Sequence, residues 1–326
     1  MELTTKINIE PSPAKITYND PAVFIGSCFS HTIGKKFMDG HLPVMINPSG
    51  TVFNPVSVLN TLESILSKKA LTKSDLYNFD GIWLSFDHYT DFSSEDPVAV
   101  LSKINSRTSE AGKFLEKSRF LFVTFGTAGV FRWNKSGRIV SNCHKIPASE
   151  FTRELLTTGE IVSRWDNFLS RLNALYPELK VVFTVSPVRH LKDGAHGNQI
   201  SKSVLLLAIE ELLDHASSPV YFPAYEILMD DLRDYRFYAE DMVHPSQAAT
   251  EYIWEAFTGS FFDDDTRALW AEANKITNAM NHRFRSGSAV HKRKFAETIL
   301  LRIEMLEKKI PSADFKAERN YFKSLI

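Results

Sequence analysis

The stretch AVFIGSCFS, residues 22–30, decides how the rest of the chain is read. Ala22 to Gly26 is a short continuous apolar run, the pattern of a strand buried on both faces of a parallel sheet. It stops at Gly26 and releases Ser27, Cys28, Phe29 and Ser30, so small nucleophilic side chains emerge where the first strand ends. Residues 120–126, 181–186 and 219–222 are further runs rich in Val, Ile and Phe, each closed by Gly, Ser or Pro.

Helical patterns lie between these runs. Ile161, Val162, Trp165, Phe168, Leu169 and Leu172 fall on one face at three- and four-residue spacing. Asn54 before Pro55 reads as a capped helix start, and Val58, Leu59, Leu62 and Ile65 then face a core. Residues 203–213 form a third such pattern. Strands separated by helices imply right-handed crossovers and a parallel sheet whose ligands bind beyond the carboxyl ends of its strands. Residues 130–142 depart from this and read as a hairpin with its turn at residues 134–137. After about Thr250 the pattern is helical, with charged runs at residues 283–285 and 291–294 separated by SGS. The expected organisation is a domain over residues 1–258 and a helical C-terminal extension over residues 259–326.

The chain has 326 residues, 44% of them hydrophobic, enough for a large core. Lys plus Arg (38) nearly cancels Asp plus Glu (39), leaving −1, so no long-range field favours nucleic acid or a membrane surface. Neither a signal-peptide core nor a spanning apolar stretch is read, which points to a cytoplasmic protein. Two cysteines, Cys28 and Cys143, are too few for a disulfide framework and suit a reducing compartment. No metal-ligand spacing and no glycine-rich phosphate loop occurs, so no cofactor and no metal are expected.

Chemistry concentrates at two places. A thiol acts as nucleophile when an imidazole or a helix N-terminus favours the thiolate, and residues after Ser30 could form that helix. The alternative makes Cys28 a small buried apolar residue and Ser27 a capping hydroxyl. Far downstream, Asp241-Met-Val-His244-Pro245 sets a carboxylate three residues before a histidine. An Asp on Nδ1 would fix the tautomer and free Nε2 to take a proton, whereas the plainer reading is a surface pair opening the next helix. Arg189 and His190 follow the run at residues 181–186; the arginine could fork onto a substrate carboxylate or phosphate, or form a structural ion pair. The charged run at residues 230–236 reads as a salt-bridged support for the 241–245 loop.

Taken together, these motifs resemble a known group. FIGSC (residues 24–28) resembles the FIGDS opening of SGNH/GDSL hydrolases, and DMVHP (residues 241–245) their closing DxxHP block. GSCFS (26–30), NPSGTVFNP (47–55), FGTAGVF (125–131), NCHKIP (142–147), TVSPVRH (184–190), KDG (192–194) and NQISKS (198–203) resemble the GSCFA family more narrowly. The resemblance implies a flavodoxin-like SGNH-hydrolase three-layer α/β/α fold with a parallel central sheet, plus the helical extension. It also implies catalytic Cys28, or Ser27, with His244 and Asp241. Gly50 resembles the glycine whose amide helps hold the oxyanion. The usual oxyanion asparagine is replaced by Ala128 in GTAG, leaving Thr127 or Asn142 as substitutes, with His144 beside Asn142.

The leading expectation is an ester or thioester hydrolase or acyltransferase working through a covalent acyl-enzyme, on a small-molecule or saccharide ester, with Cys28, His244, Asp241 and Ser27 at its centre. Gly50, Thr127, Asn142, His144, Arg189 and His190 are the expected substrate-binding residues. A non-catalytic carbohydrate- or acyl-binding module is the second reading, motivated by the missing asparagine. In a third, Phe295, Ile299, Leu300, Ile303 and Leu306 form an amphipathic docking face for a partner. Oligomeric state is left open.

Overall fold

The computed structural model describes residues 5–281 and 289–326. The charged run at residues 283–285 and the SGS at residues 286–288 lie outside the described residues. Its strands are β1 (Ala22–Gly26), β2 (Val44–Ile46), β3 (Tyr77–Phe79), β4 (Ile82–Leu84), β5 (Phe120–Phe125), β6 (Gly129–Trp133), β7 (Ile139–Val140), β8 (Phe151–Leu155), β9 (Lys180–Val185) and β10 (Val220–Tyr221). The main helices are α1 (Cys28–Asp39), α2 (Pro55–Ser67), α3 (Pro97–Leu115), α4 (Thr158–Leu175), α5 (Gly194–Leu213), a short turn α6 (Ala224–Glu226), α7 (Gln247–Phe261), α8 (Asp264–Ala279), α9 (Ala289–Lys309) and α10 (Lys316–Lys323).

The central sheet runs β10-β9-β5-β1-β2, with every neighbouring pair parallel. Counted along the chain, its strands stand in the order second, first, third, fourth, fifth, so the order reverses between β1 and β5. A crevice opens beyond the carboxyl ends of strands at such a reversal. Here the two segments leaving those ends are the one that begins with Ser27 and Cys28 and the one that begins with Gly126 and Thr127.

Alternation along the strands divides the core into two layers. Val23, Ile25, Leu121, Val123, Val181 and Phe183 pack with Leu62, Trp165 and Ile209 from α2, α4 and α5. Phe24, Phe120, Phe122 and Val182 face the other way, onto Phe37 of α1 and Phe257 and Phe261 of α7. Phe24 stacks on Phe122 with ring centroids 4.5 Å apart. Both faces of the sheet are covered, which is why its strands read as unbroken apolar runs.

Local chemistry starts the helices. Asn54 caps α2 by accepting the Ser57 amide at 2.8 Å, with Pro55 at the first position. Thr157 and Glu160 form a capping box on α4, and Ser246 caps α7. Gly26, between β1 and α1, has φ 146°, and a Cβ there would stand 2.3 Å from the Thr124 carbonyl oxygen. Only glycine lets the strand turn this tightly against β5.

The expected hairpin exists as β6 and β7, and β8 adds a third antiparallel strand on the far side of β6. A separate β3–β4 hairpin, not read from the sequence, packs with it through Leu84, Phe86, Val140, Ile146 and Phe151. The C-terminal helices continue the core of the sheet's second face: Trp270, Ile276, Ile299, Ile303, Leu306 and Phe322 belong to the same cluster as Phe24 and Phe37. The face of α9 expected to dock a partner is therefore filled within the chain by Ile299, Ile303 and Leu306. No helix among the described residues is long and apolar enough to cross a membrane.

Candidate functional site

Cys28 is the first residue of α1, immediately after the glycine turn, and Ser27 is the helix cap, its hydroxyl accepting the Phe29 amide at 3.3 Å. The thiol thus sits against the unpaired amides that open a helix, where negative charge is favoured. His244 arrives from a loop 216 positions away, and its Nε2 lies 3.5 Å from Cys28 Sγ. On the other side of the ring, Nδ1 is 2.6 Å from Asp241 Oδ2. Asp241 Oδ1 accepts the amides of Val243 and His244, both at 2.9 Å. The three side chains form a relay from sulfur to imidazole to carboxylate.

The loop that carries them is closed on itself. Ala239 donates to the His244 carbonyl at 2.8 Å, Met242 adopts φ 58° at the tip, and Ser246 donates to the Phe237 carbonyl at 2.8 Å. Upstream, Arg233 pairs with Asp230 and Arg236 with Asp234.

Charge states follow from surroundings. Burial pushes the Cys28 thiol above its ordinary value, opposed by the Phe29 and Cys28 amides and by the positive charge of Lys202. Asp241 is held at about 2, chiefly by the His244 and Val243 amides, and is a carboxylate at any physiological pH.

A cavity of about 330 Å³ opens over the sulfur, lined among others by Ser27, Cys28, Thr51, Phe53, Thr127, Arg189, His190 and His244. Of the residues singled out from sequence, Ser27, Cys28, Thr127, Arg189, His190 and His244 meet there, with Asp241 directly behind His244. Thr127 is engaged: its amide donates to the Phe53 carbonyl at 3.1 Å, and its hydroxyl bonds Ser201 and accepts the Gly129 amide, both at 3.0 Å. His190 is tethered through its amide to Asn198 Oδ1 at 2.8 Å, and burial lowers the imidazole's basicity.

Three expected residues do not line this cavity. The Gly50 amide donates to the Asn47 carbonyl at 2.8 Å, closing a turn at φ 81°, so it is spent within the loop. Asn142 donates to Thr90 Oγ1 at 3.1 Å and accepts the His144 amide at 2.8 Å. His144 Nε2 donates to the Ser85 carbonyl at 2.9 Å. Both belong to the layer that joins the two hairpins, where β-sheet packing rather than the crevice claims them.

Two residues escaped the sequence reading. Lys202, on α5, is 1% exposed and donates to the Gly126 carbonyl at 2.7 Å and the Ser186 carbonyl at 2.6 Å. It ties the ends of β5 and β9 together beneath the cavity, and burial holds its ammonium down to about 7. No carboxylate pairs with it among the described residues. Thr51 lines the cavity, and neither its amide nor its hydroxyl is bonded to another described group. Both stand inside motifs that resemble the GSCFA family, NQISKS and NPSGTVFNP, and that is their one mark in the sequence.

Among curated proteins, none matches this chain. A family model described as the GSCFA domain protein, C-terminal domain, matches residues 273–326. The model of the GSCFA family matches residues 21–257, a stretch that holds the whole central sheet and every residue of the cysteine site, and the chain belongs to that family.

Proposed function

We propose that this protein is an acyl-transferring enzyme of SGNH-hydrolase type, with Cys28 as nucleophile, His244 as general base and acid, and Asp241 as the group that orients the imidazole. The observation that carries this reading is the contact of Cys28 Sγ with His244 Nε2 at 3.5 Å, backed by Asp241 on Nδ1 at 2.6 Å. Asp241 holds the proton on Nδ1, so Nε2 presents its lone pair to the thiol. His244 takes the thiol proton as sulfur attacks the carbonyl carbon of an ester or thioester. The carbonyl electrons move to oxygen and return as the bond to the leaving group breaks, and His244 gives the proton to that group. An acyl-cysteine thioester remains. Water or a hydroxyl of a saccharide then attacks it, loses a proton to His244, and leaves with the acyl group while the thiol is restored.

Oxyanion donors are assigned by what is free. With the Gly50 and Thr127 amides committed elsewhere, the amide of Cys28 at the first position of α1 and the amide of Thr51 are taken as donors, both at the cavity wall and neither bonded to another described group. Ser27 acts as a cap rather than a nucleophile, because its hydroxyl faces the Phe29 amide. A reducing, cytoplasmic setting keeps both free thiols available.

The test is intact-mass spectrometry and turnover with p-nitrophenyl acetate and an N-acetylcysteamine thioester, with and without saccharide acceptors. An acyl adduct on Cys28 that is absent in Cys28→Ala and does not turn over in His244→Ala is the expected result. Turnover in Cys28→Ala and His244→Ala equal to that of the parent chain removes the reading. Ligand-dependent thermal stabilisation with no adduct and no turnover would make the protein a binding module instead.

A further inference from the structure

Arg189 is a half-buried guanidinium with no bonded partner among the described residues. It follows β9 at the crevice, its Nε is buried without a hydrogen-bond partner, and no salt bridge reaches it among the described residues. Three carboxylates of the 230–241 segment have partners of their own: Asp230 pairs with Arg233, Asp234 with Arg236, Asp241 with His244. An arginine stays charged, and a buried donor left unpaired costs free energy that a structure does not ordinarily tolerate. Among the described residues no ion pair holds Arg189, and its guanidinium is left open to a group of a bound ligand.

The position of Arg189 says where that partner lies. It lines the cavity over Cys28 and also a second cavity of about 270 Å³, whose other walls include Tyr235, Tyr238 and Met242. A molecule reaching from the sulfur into the second cavity passes the guanidinium. Lys202 lies beneath the same cavity, bonded to the Gly126 and Ser186 carbonyls.

On the acyl-transfer reading, we infer that the substrate carries an anionic oxygen group, carboxylate or phosphate, which Arg189 binds at the junction of the two cavities while the acyl carbon lies at Cys28. A neutral ester lacking that group leaves the guanidinium unsatisfied and is the poorer substrate. A planar fork of N–H donors suits either oxyanion.

The test reads Cys28 without requiring turnover, so it separates this inference from the catalytic one. In the full chain carrying Cys143→Ala, alkylation of Cys28 by iodoacetamide is timed in sodium phosphate, in sodium succinate, and in sodium chloride at matched ionic strength. At least one of the two oxyanions is expected to slow alkylation about fivefold or more at saturation, and the better protector identifies the group. Arg189→Gln should raise the half-protecting concentration about tenfold or more, with Arg189→Lys in between. Protection no greater than in chloride, or equally strong in Arg189→Gln, overturns the inference. If Arg189→Gln does not fold, unchanged protection in Arg189→Lys overturns it, and protection weakened about threefold supports it.

Discussion

The ammonium of Lys202 donates to the carbonyl of Gly126 at 2.7 Å, so a buried cation from α5 fixes the loop at the end of β5 against the site of Cys28. Its second bond, to Ser186 at 2.6 Å, fixes the end of β9 as well. One side chain thus braces the two strand ends that form the cavity floor, and its charge favours the thiolate.

Lys202→Met should therefore act on stability and on the thiol together. Two buried carbonyls lose their donor, an expected loss of roughly 2–4 kcal/mol in urea denaturation. Alkylation of Cys28 should need higher pH than in the parent chain. Because burial holds Lys202 at about 7 against an ordinary 10.5, the unfolded chain carries the extra proton between those values. Stability contributed through Lys202 thus rises with pH from about 7 upward, and this rise should be missing in Lys202→Met. The raised Cys28 and Cys143 thiols work in the opposite sense only toward and above their ordinary value of 9.0, so the difference between the parent chain and Lys202→Met at about pH 7 and about pH 8 reads the lysine.

Asp241→Asn should lower turnover by roughly 10²- to 10⁴-fold while leaving the fold intact, since an amide oxygen can still accept the Val243 and His244 amides but no longer holds the proton on Nδ1. The carboxylate of Asp241, held at about 2, is lost only as pH falls through that value. The defect should then be constant across the neutral range. A defect that disappears above or below neutrality would show that Asp241 titrates there and is not the orienting carboxylate.

Ser27 and Cys28 are separable by two single changes. Ser27→Ala removes a cap and should cost about 1 kcal/mol in denaturation while turnover stays within a few-fold. Cys28→Ala should keep its stability nearly unchanged and lose the acyl adduct. The reverse pattern, an adduct surviving in Cys28→Ala and vanishing in Ser27→Ala, would reassign the nucleophile.

The two thiols should also differ in reactivity. Burial pushes Cys143 up to about 11, and it packs beside Trp133 in the layer between the hairpins. Cys28 has amides and Lys202 working against its burial, and an open cavity above it. Peptide mapping after brief iodoacetamide treatment at about pH 8 should find Cys28 modified first. Modification of Cys143 ahead of Cys28 would mean that the helix amides and Lys202 do not favour the Cys28 thiolate.

The sequence alone was enough for the strands β1, β5 and β9 and for the capped start of α2. A strand covered on both faces must be apolar throughout, and a helix start needs local acceptors, so both leave marks in a few consecutive residues. The thiol and the Asp–His pair were legible for the same reason, each as a short local motif. Their meeting was not, because 216 positions separate Cys28 from His244 and only the parallel sheet, reversing its order between β1 and β5, brings both loops to one crevice. Tertiary structure also decided which polar groups were already spent. It committed the Gly50 amide to Asn47, Asn142 and His144 to the hairpin layer, Lys202 to two strand ends, and left Arg189 with no partner among the described residues. Hydrogen-bond satisfaction depends on distances between groups remote in the chain, and no local pattern of residue types encodes it.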